Sequence, residues 1–441
     1  MKPRPPLPAG PYLILGLARS GVAAAAALAA GGARVVGVDA GAPRQAAELD
    51  QSPVEYHLEN DGLDLLEGIR TVVKSPGVPQ DAPVLGAARA RGLRILGELE
   101  LAWRILPNEF IAVTATNGKT TTVELIGQIH RDAGLPVAVA GNVGTALSTL
   151  VGEIDPEVTV VCEASSFQLE DTLAFAPEAA VLLNIQPDHL DRHGTFEDYR
   201  RAKLRIFDFQ DSDDLAVLPS NDALGEIGGD GRRVLFGDLP EALLCERDGA
   251  LWWRAEHLLE VNEIRLPGAH NLQNAMAAAA VCLDRGVPAQ AVRSALRSFP
   301  GVAHRLEEIA RPGGVIYVND SKATNIASTL VALRSFPDAQ VHLILGGQGK
   351  GQDFTELREP LAEYCRAVYL IGEDAPAIAA ALQGTAAQIH SCEALEKAVH
   401  EAHSQAQTGE IVLLSPACAS FDQFTDFQAR GERFKALVLA L

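Results

Sequence analysis

Short apolar runs alternate with helix-patterned stretches along almost the whole chain, and that alternation is the signature of parallel sheets with crossover helices. Y-L-I-L-G-L from Tyr12 reads as a first strand, followed by a turn at Ala18–Gly21, an Ala-rich helix and a second strand ending at Asp39. T-V-V-K-S-P-G-V-P from Thr71 reads as strand and Pro-rich turn. A second unit opens with F-I-A-V-T-A-T from Phe110. It continues with strands at Val158–Glu163 and Ala180–Asn184, a helix from Thr195 to Phe207, an irregular Gly- and Asp-rich stretch over Asp211–Asp248, and two more helices up to Phe299. Strands near Val315–Asn319, Val341–Leu345, Ala367–Ile371 and Ile411–Ser415 make a third unit. The predicted fold is therefore α/β in three domains: Rossmann-like over 1–107, a central P-loop ATPase-like domain with a mostly parallel sheet over 108–301, and Rossmann-like over 302–441. At roughly 150 residues per domain, a length of 441 leaves room for about three.

Charge narrows the ligand. With 37 Lys and Arg against 57 Asp and Glu the net charge is −20, which argues against a nucleic-acid binder but not against small anions held by a few local cations and backbone N–H groups. The six Cys are widely spaced without a C-x-x-C pair, so the expectation is a reducing, cytoplasmic setting with no disulfide framework. Arg is the default cation, and the only lysines are Lys2, Lys74, Lys119, Lys203, Lys322, Lys350, Lys397 and Lys435. Where Lys persists in such a chain, a compact or titratable amine is hinted at.

V-T-A-T-N-G-K-T-T-T (Val113 to Thr122) carries the strongest signal. An apolar strand delivers the chain into a tight loop, and Gly118-Lys119-Thr120 opens a helix. Backbone N–H groups there can cradle phosphates, Lys119 can neutralise β/γ oxygens and Thr120 can offer a hydroxyl to Mg²⁺. Val113 stands where a standard Walker loop has its first Gly. Downstream, V-V-C-E ends a strand at Glu163, and N-I-Q-P-D-H-L-D-R-H places Asp188, His189 and Asp191 past another strand end. Strand C-termini are where open α/β sheets bind ligands. Lys203 follows on a helix in R-R-A-K-L-R. G-L-A-R-S-G at Gly16–Gly21 resembles a dinucleotide fingerprint with Asp39 at about the right distance, but Ala18 replaces the second Gly, which disfavours a nicotinamide dehydrogenase.

Taken together, T-N-G-K-T, G-N-V-G (Gly141–Gly144), S-S-F-Q-L-E, D-H-L-D-R-H, R-A-K-L-R, H-N-L-Q-N-A, H-R-L-E, D-S-K-A-T-N, G-G-Q-G-K-G-Q-D-F and S-P-A-C-A-S-F-D-Q-F resemble, in order and over essentially the whole chain, the Mur ligase family of ATP-dependent amide-forming enzymes. The D-S-K-A-T-N and S-P-A-C-A-S-F-D-Q-F stretches favour the D-glutamate-adding kind, and no D-N-P-R-type motif of a diamino-acid-adding sibling is found.

The resemblance implies small-molecule partners: UDP-N-acetylmuramoyl-L-alanine, D-glutamate and ATP. The expectation includes no nucleic acid, no membrane insertion and a monomeric chain. For ATP it implies Asn117, Gly118, Lys119, Thr120 and Thr121, with Asn271 and Asn274 on the adenine side and Arg305 and Asp320 from the third domain. For two Mg²⁺ ions it implies Thr120 and Glu163, then His189 with Lys203, the lysine carbamylated. Asn142 would touch the acyl phosphate. Arg19, Ser20, Asp39 and Gly77 match the UDP side, and Ser165, Gln168 and His189 further substrate positions. Lys322, Thr324, Lys350, Ser420, Phe421 and Phe427 match positions that orient D-glutamate. Because these groups lie on different domains, domain closure is expected to assemble the site. The sequence departs from the family pattern at Ala115 (commonly Gly), at Ala40 and Gly41 after Asp39, and at Gln348, where some members have an acid. A sibling ligase, such as a folylpolyglutamate synthase, and a nucleotide-binding regulator without catalysis stay open as alternatives.

Overall fold

The computed structural model describes residues 2–441 except 221–225, 240, 267, 338 and 350, and except the side chain of Asp191. Lys350 thus lies outside the described residues. The rest divides into two compact units, Met1–Phe299 and Pro300–Leu441.

The first unit holds two sheets. The first has five parallel strands in the order Glu55–His57, Val35–Val38, Tyr12–Leu15, Thr71–Lys74, Arg94–Gly97. Its central strands are fully buried, as expected for apolar runs covered on both faces. The Ala-rich helix begins directly at Arg19 rather than after a turn over Ala18–Gly21. It packs so closely that a Cβ on Gly21 would lie 1.8 Å from the Gly16 carbonyl oxygen.

The second sheet has nine strands, in the order Glu256–Glu260, Ala250–Trp253, Leu244–Arg247, Arg232–Gly237, Leu215–Pro219, Ala179–Leu182, Phe110–Thr114, Thr159–Glu163, Val137–Gly141. The expectation of irregular structure over Asp211–Asp248 is overturned: three strands of this sheet lie there. The Gly and Asp residues that suggested a loop only punctuate those strands. Asp248 and Gly249, at φ 54° and 79°, form the tight turn of a hairpin between Leu244–Arg247 and Ala250–Trp253.

Buried polar groups fasten the two sheets of this unit together. Lys74 Nζ donates to Asp171 Oδ2 at 2.6 Å, and Gln80 Nε2 to Asp171 Oδ1 at 2.7 Å. On the helix Glu98–Ile105, the Glu98 carboxylate accepts from the Ser148 N–H at 2.6 Å and Glu100 accepts from the N–H groups of Leu173 and Ala174. The N-terminal arm adds Arg4, whose guanidinium lies 4.5 Å from the Trp103 ring and pairs with Glu178 at 3.0 Å.

The second unit is a six-stranded sheet in the order Glu307–Ala310, Ile316–Asn319, Ile411–Leu414, Val341–Gly346, Cys365–Ile371, Gln388–Glu393, parallel except at the Glu307–Ala310 edge. Apolar clusters cover both of its faces. Among the described residues no helix is long and apolar enough to cross a membrane.

Candidate active site

The loop read from sequence as phosphate-binding lies between a buried strand and a helix. Strand Phe110–Thr114 is buried throughout and ends beneath the loop, and the helix Lys119–Asp132 starts behind Gly118. Gly118 sits at φ 93°, where a side chain is strained, and a Cβ there would approach Asn274 Oδ1 to 2.2 Å. Asn274 in turn donates to Asn271 Oδ1 at 3.2 Å, so both asparagines belong to the wall behind the loop. Asn117 exchanges hydrogen bonds with the Asn184 side chain. Thr121 is buried on the helix.

At the adjoining strand end, Glu163 is 3 % exposed and holds two side chains. Thr120 Oγ1 donates to its Oε2 at 2.8 Å and Asn142 Nδ2 to its Oε1 at 3.0 Å. Lys119 Nζ donates to the carbonyls of Ala115 and Thr116 at 2.8 and 2.9 Å. Lys203 is 2 % exposed, its Nζ donates to the same Ala115 carbonyl at 2.7 Å, and the amine lies 4.6 Å from the Tyr199 ring. Burial first, then the charge of Lys119, holds the Lys203 amine well below the usual lysine range. Lys203 is thus not a surface lysine, and Asp198 is engaged by Thr195 and Arg201 instead.

His189 is placed differently. It caps the short helix Leu190–His193 at φ 51°, its side chain is 47 % exposed, and its ring lies 4.9 Å from Phe167 and 3.4 Å from Asp188 Oδ2. Ser165 and Gln168 hold each other in a capping box at the start of Ser166–Leu169.

A cavity of about 550 Å³ opens beside this centre. It brings together Arg19, Ser20, Asp39, Gly77, Asn142 and Gln168, all expected substrate positions. Asp39 accepts from the backbone N–H groups of Leu17 and Gly41, and Arg19 donates to the Gly144 carbonyl at 3.1 Å. Asn60 and Asp61 also line it and were not anticipated, because they sit in an irregular segment with no motif.

In the second unit Asp320 accepts from Ser415 Oγ at 2.8 Å and from the Leu306 N–H at 3.2 Å. Burial pushes its carboxyl up to about 7, against the opposing pull of Ser415 and Arg305. Lys322 and Thr324 follow in the same loop, and the Lys322 N–H donates to the His304 carbonyl. Ser420 is buried, Phe421 is 65 % exposed, and Phe427 opens the last helix with its ring 6.3 Å from His304. The sequence reading missed Arg430. It is 1 % exposed and ties three segments by donating to Ser321 Oγ, the Ser321 carbonyl and the Cys418 carbonyl at 2.9, 2.9 and 3.1 Å. Its position one turn before Phe434 on an apolar helix face was the available signal.

Family profiles match in three consecutive blocks: the Mur ligase MurD-like N-terminal domain over residues 11–97, the Mur ligase middle domain over 113–282, and the Mur ligase glutamate ligase domain over 304–418. The chain belongs to the Mur ligase family. Among Mur ligase relatives it is 41 % identical to the UDP-N-acetylmuramoylalanine–D-glutamate ligase of Pelotomaculum thermopropionicum, over 97 % of both chains. It is 42 % identical to the enzyme of the same name from Acidobacterium capsulatum, over 97 % of this chain and 96 % of the other. Its fold resembles the UDP-N-acetylmuramate–alanine ligase MurC of Thermotoga maritima at TM-score 0.61 and 20 % identity, covering 98 % and 100 % of the two chains. It also resembles the MurF ligase of the same organism, solved with ADP, at TM-score 0.57 and 18 % identity, covering 92 % and 96 %.

The donor chemistry suits a hard divalent cation in part. Magnesium keeps several waters and needs only one or two protein oxygens, and Glu163 with Thr120 supplies those. Among the described residues no three His, Cys, Asp or Glu side chains converge as a protein cage.

Proposed function

We propose that this chain is an ATP-dependent ligase that adds D-glutamate to UDP-N-acetylmuramoyl-L-alanine in peptidoglycan precursor synthesis. The observation that carries the reading is the end-to-end likeness, 41–42 % identity over 97 % of the chain, to relatives that bear that activity in their names. The reaction has two halves. A carboxylate oxygen of the L-alanine end attacks the γ-phosphorus of ATP, breaking the bond to ADP and giving an acyl phosphate. The amine nitrogen of D-glutamate then attacks the acyl carbon, phosphate leaves, and the amine proton goes to solvent.

In this reading Lys119, with the N–H groups of Asn117 to Thr121, holds the β/γ-phosphates, and Asn271 and Asn274 back the adenine side. Arg305 and Asp320 hold ATP from the third domain. Arg19, Ser20, Asp39 and Gly77 take the UDP end, and Asn142, Ser165 and Gln168 the sugar and acyl end. Lys322, Thr324, Lys350, Ser420, Phe421 and Phe427 orient D-glutamate. Thr120 and Glu163 would hold one Mg²⁺ and His189 with Lys203 a second; such ions neutralise charge on the transferring phosphoryl group. A neutral, buried Lys203 amine suits carbamylation: its nitrogen bonds to the carbon of CO₂ and a proton is released, leaving an anionic oxygen pair. The domains are assigned as 1–107, 108–301 and 302–441, in a cytoplasmic monomer.

The test is phosphate release with UDP-N-acetylmuramoyl-L-alanine and ATP across D-glutamate, L-glutamate, L-alanine and diaminopimelate. Turnover with D-glutamate alone is expected. Turnover with another amino acid would point to a sibling ligase, and none with any to a regulator.

A further inference from the structure

We propose that Arg192 is a positioning residue that couples the cavity-lining loop Pro76–Val78 to His189; the inference rests on the ligase reading above. Arg192 lies three residues after His189, in the short helix that His189 caps. Its Nη2 donates to the Val78 carbonyl at 2.9 Å, reaches the Pro76 carbonyl at 3.4 Å and pairs with Glu170 Oε1 at 3.4 Å. Pro76, Gly77 and Val78 all line the 550 Å³ cavity. The same guanidinium lies 4.7 Å from the Phe167 ring. Phe167 stacks on His193 at 5.4 Å and meets His189 at 4.9 Å.

One planar group thus does two things at once. Through Nη2 it donates to the carbonyls on either side of Gly77, and its guanidinium carbon lies over the Phe167 ring that His189 meets. Besides Phe167, the half-exposed His189 ring meets Asp188 Oδ2 at 3.4 Å and the Tyr199 ring at 6.4 Å. A loop that settles around a bound nucleotide moves its carbonyls, and a guanidinium bonded to them carries the shift to Phe167 and so to His189. An ammonium can make the carbonyl contact but has no face to stack with.

Three variants separate these contacts in steady-state kinetics with UDP-N-acetylmuramoyl-L-alanine, ATP and D-glutamate. Arg192→Ala is expected to raise KM for the UDP substrate about tenfold, lower kcat about tenfold and leave KM for ATP within about twofold. Arg192→Lys retains a donor nitrogen, so KM for the UDP substrate stays within about threefold while kcat falls as in the alanine variant. Phe167→Leu keeps both carbonyl contacts and should lower kcat with KM for the UDP substrate unchanged. If Arg192→Ala does not fold, the other two carry the test. Wild-type kcat in both Arg192→Lys and Phe167→Leu would overturn the inference, as would equal KM increases for ATP and the UDP substrate with kcat intact. A wild-type chain that releases no phosphate with any amino acid would instead overturn the ligase reading, and the coupling with it.

Discussion

Lys119 and Lys203 donate to one and the same carbonyl oxygen, that of Ala115, at 2.8 and 2.7 Å. Two amines on a single acceptor cannot both comfortably hold a full charge, and the buried one is the one pushed toward neutrality. Lys119→Ala should cost on the order of 10³-fold in phosphate release while the melting temperature stays near that of the wild type. Near-normal turnover would remove the phosphate-loop role.

Lys203→Arg conserves charge but puts a permanently charged guanidinium where only a neutral amine can take up CO₂. It should be inactive. Lys203→Ala should regain part of its activity with added formate or acetate. A fully active arginine variant would exclude the carbamate.

Gly118→Ala adds a methyl that meets Asn274 Oδ1 and forces a left-handed backbone on an alanine. The strain alone is about 1–2 kcal/mol. ATP turnover should fall at least about 100-fold with a measurable loss in melting temperature. Gly118→Ala with wild-type KM for ATP would mean that the loop is not the nucleotide cradle.

The raised carboxyl of Asp320 has a definite sign for stability. Its value moves from 3.8 up to about 7 on folding, so between those pH values the native state holds a proton that the unfolded chain has released. Its contribution is complete below the unfolded value and falls as pH rises through about 7, by up to about 1.4 kcal/mol per pH unit. Asp320→Asn cannot lose that proton. Thermal melts from pH 4 to 8 should show a shallower decline for the variant, and parallel curves would contradict the shift.

Phe421 is 65 % exposed and so is not a core ring. Phe421→Ala should leave the melting temperature within about 1 °C and raise KM for D-glutamate several-fold, with KM for ATP unchanged. An unaltered KM for D-glutamate would take Phe421 out of the amino-acid site.

The strand–loop–helix at Lys119 and the strand-end position of Glu163 were legible because local sequence decides them: an apolar run, a Gly-Lys-Thr turn, an acid at the end of the next apolar run. Arg430 and the Lys74–Asp171 pair were not, because what makes a buried cation tolerable is a set of acceptors brought from distant segments. The strands between Asp211 and Asp248 were hidden for a different reason. Asp248-Gly249 is a hairpin turn signal, but among neighbouring Gly and Asp residues it reads as loop composition.

Glu98 and Glu100 have a consequence for how this protein can vary. Both reach across to the central domain, and both accept from main-chain N–H groups, of Ser148 in one case and of Leu173 and Ala174 in the other. Every residue except proline carries that donor. Side chains at 173 and 174 can therefore drift without breaking the bonds to Glu100, whose own side-chain partner is Arg104 at 2.7 Å, whereas Ser148 is itself buried. Proline is excluded at all three positions, because its arrival would leave a buried carboxylate facing a ring with no hydrogen to give.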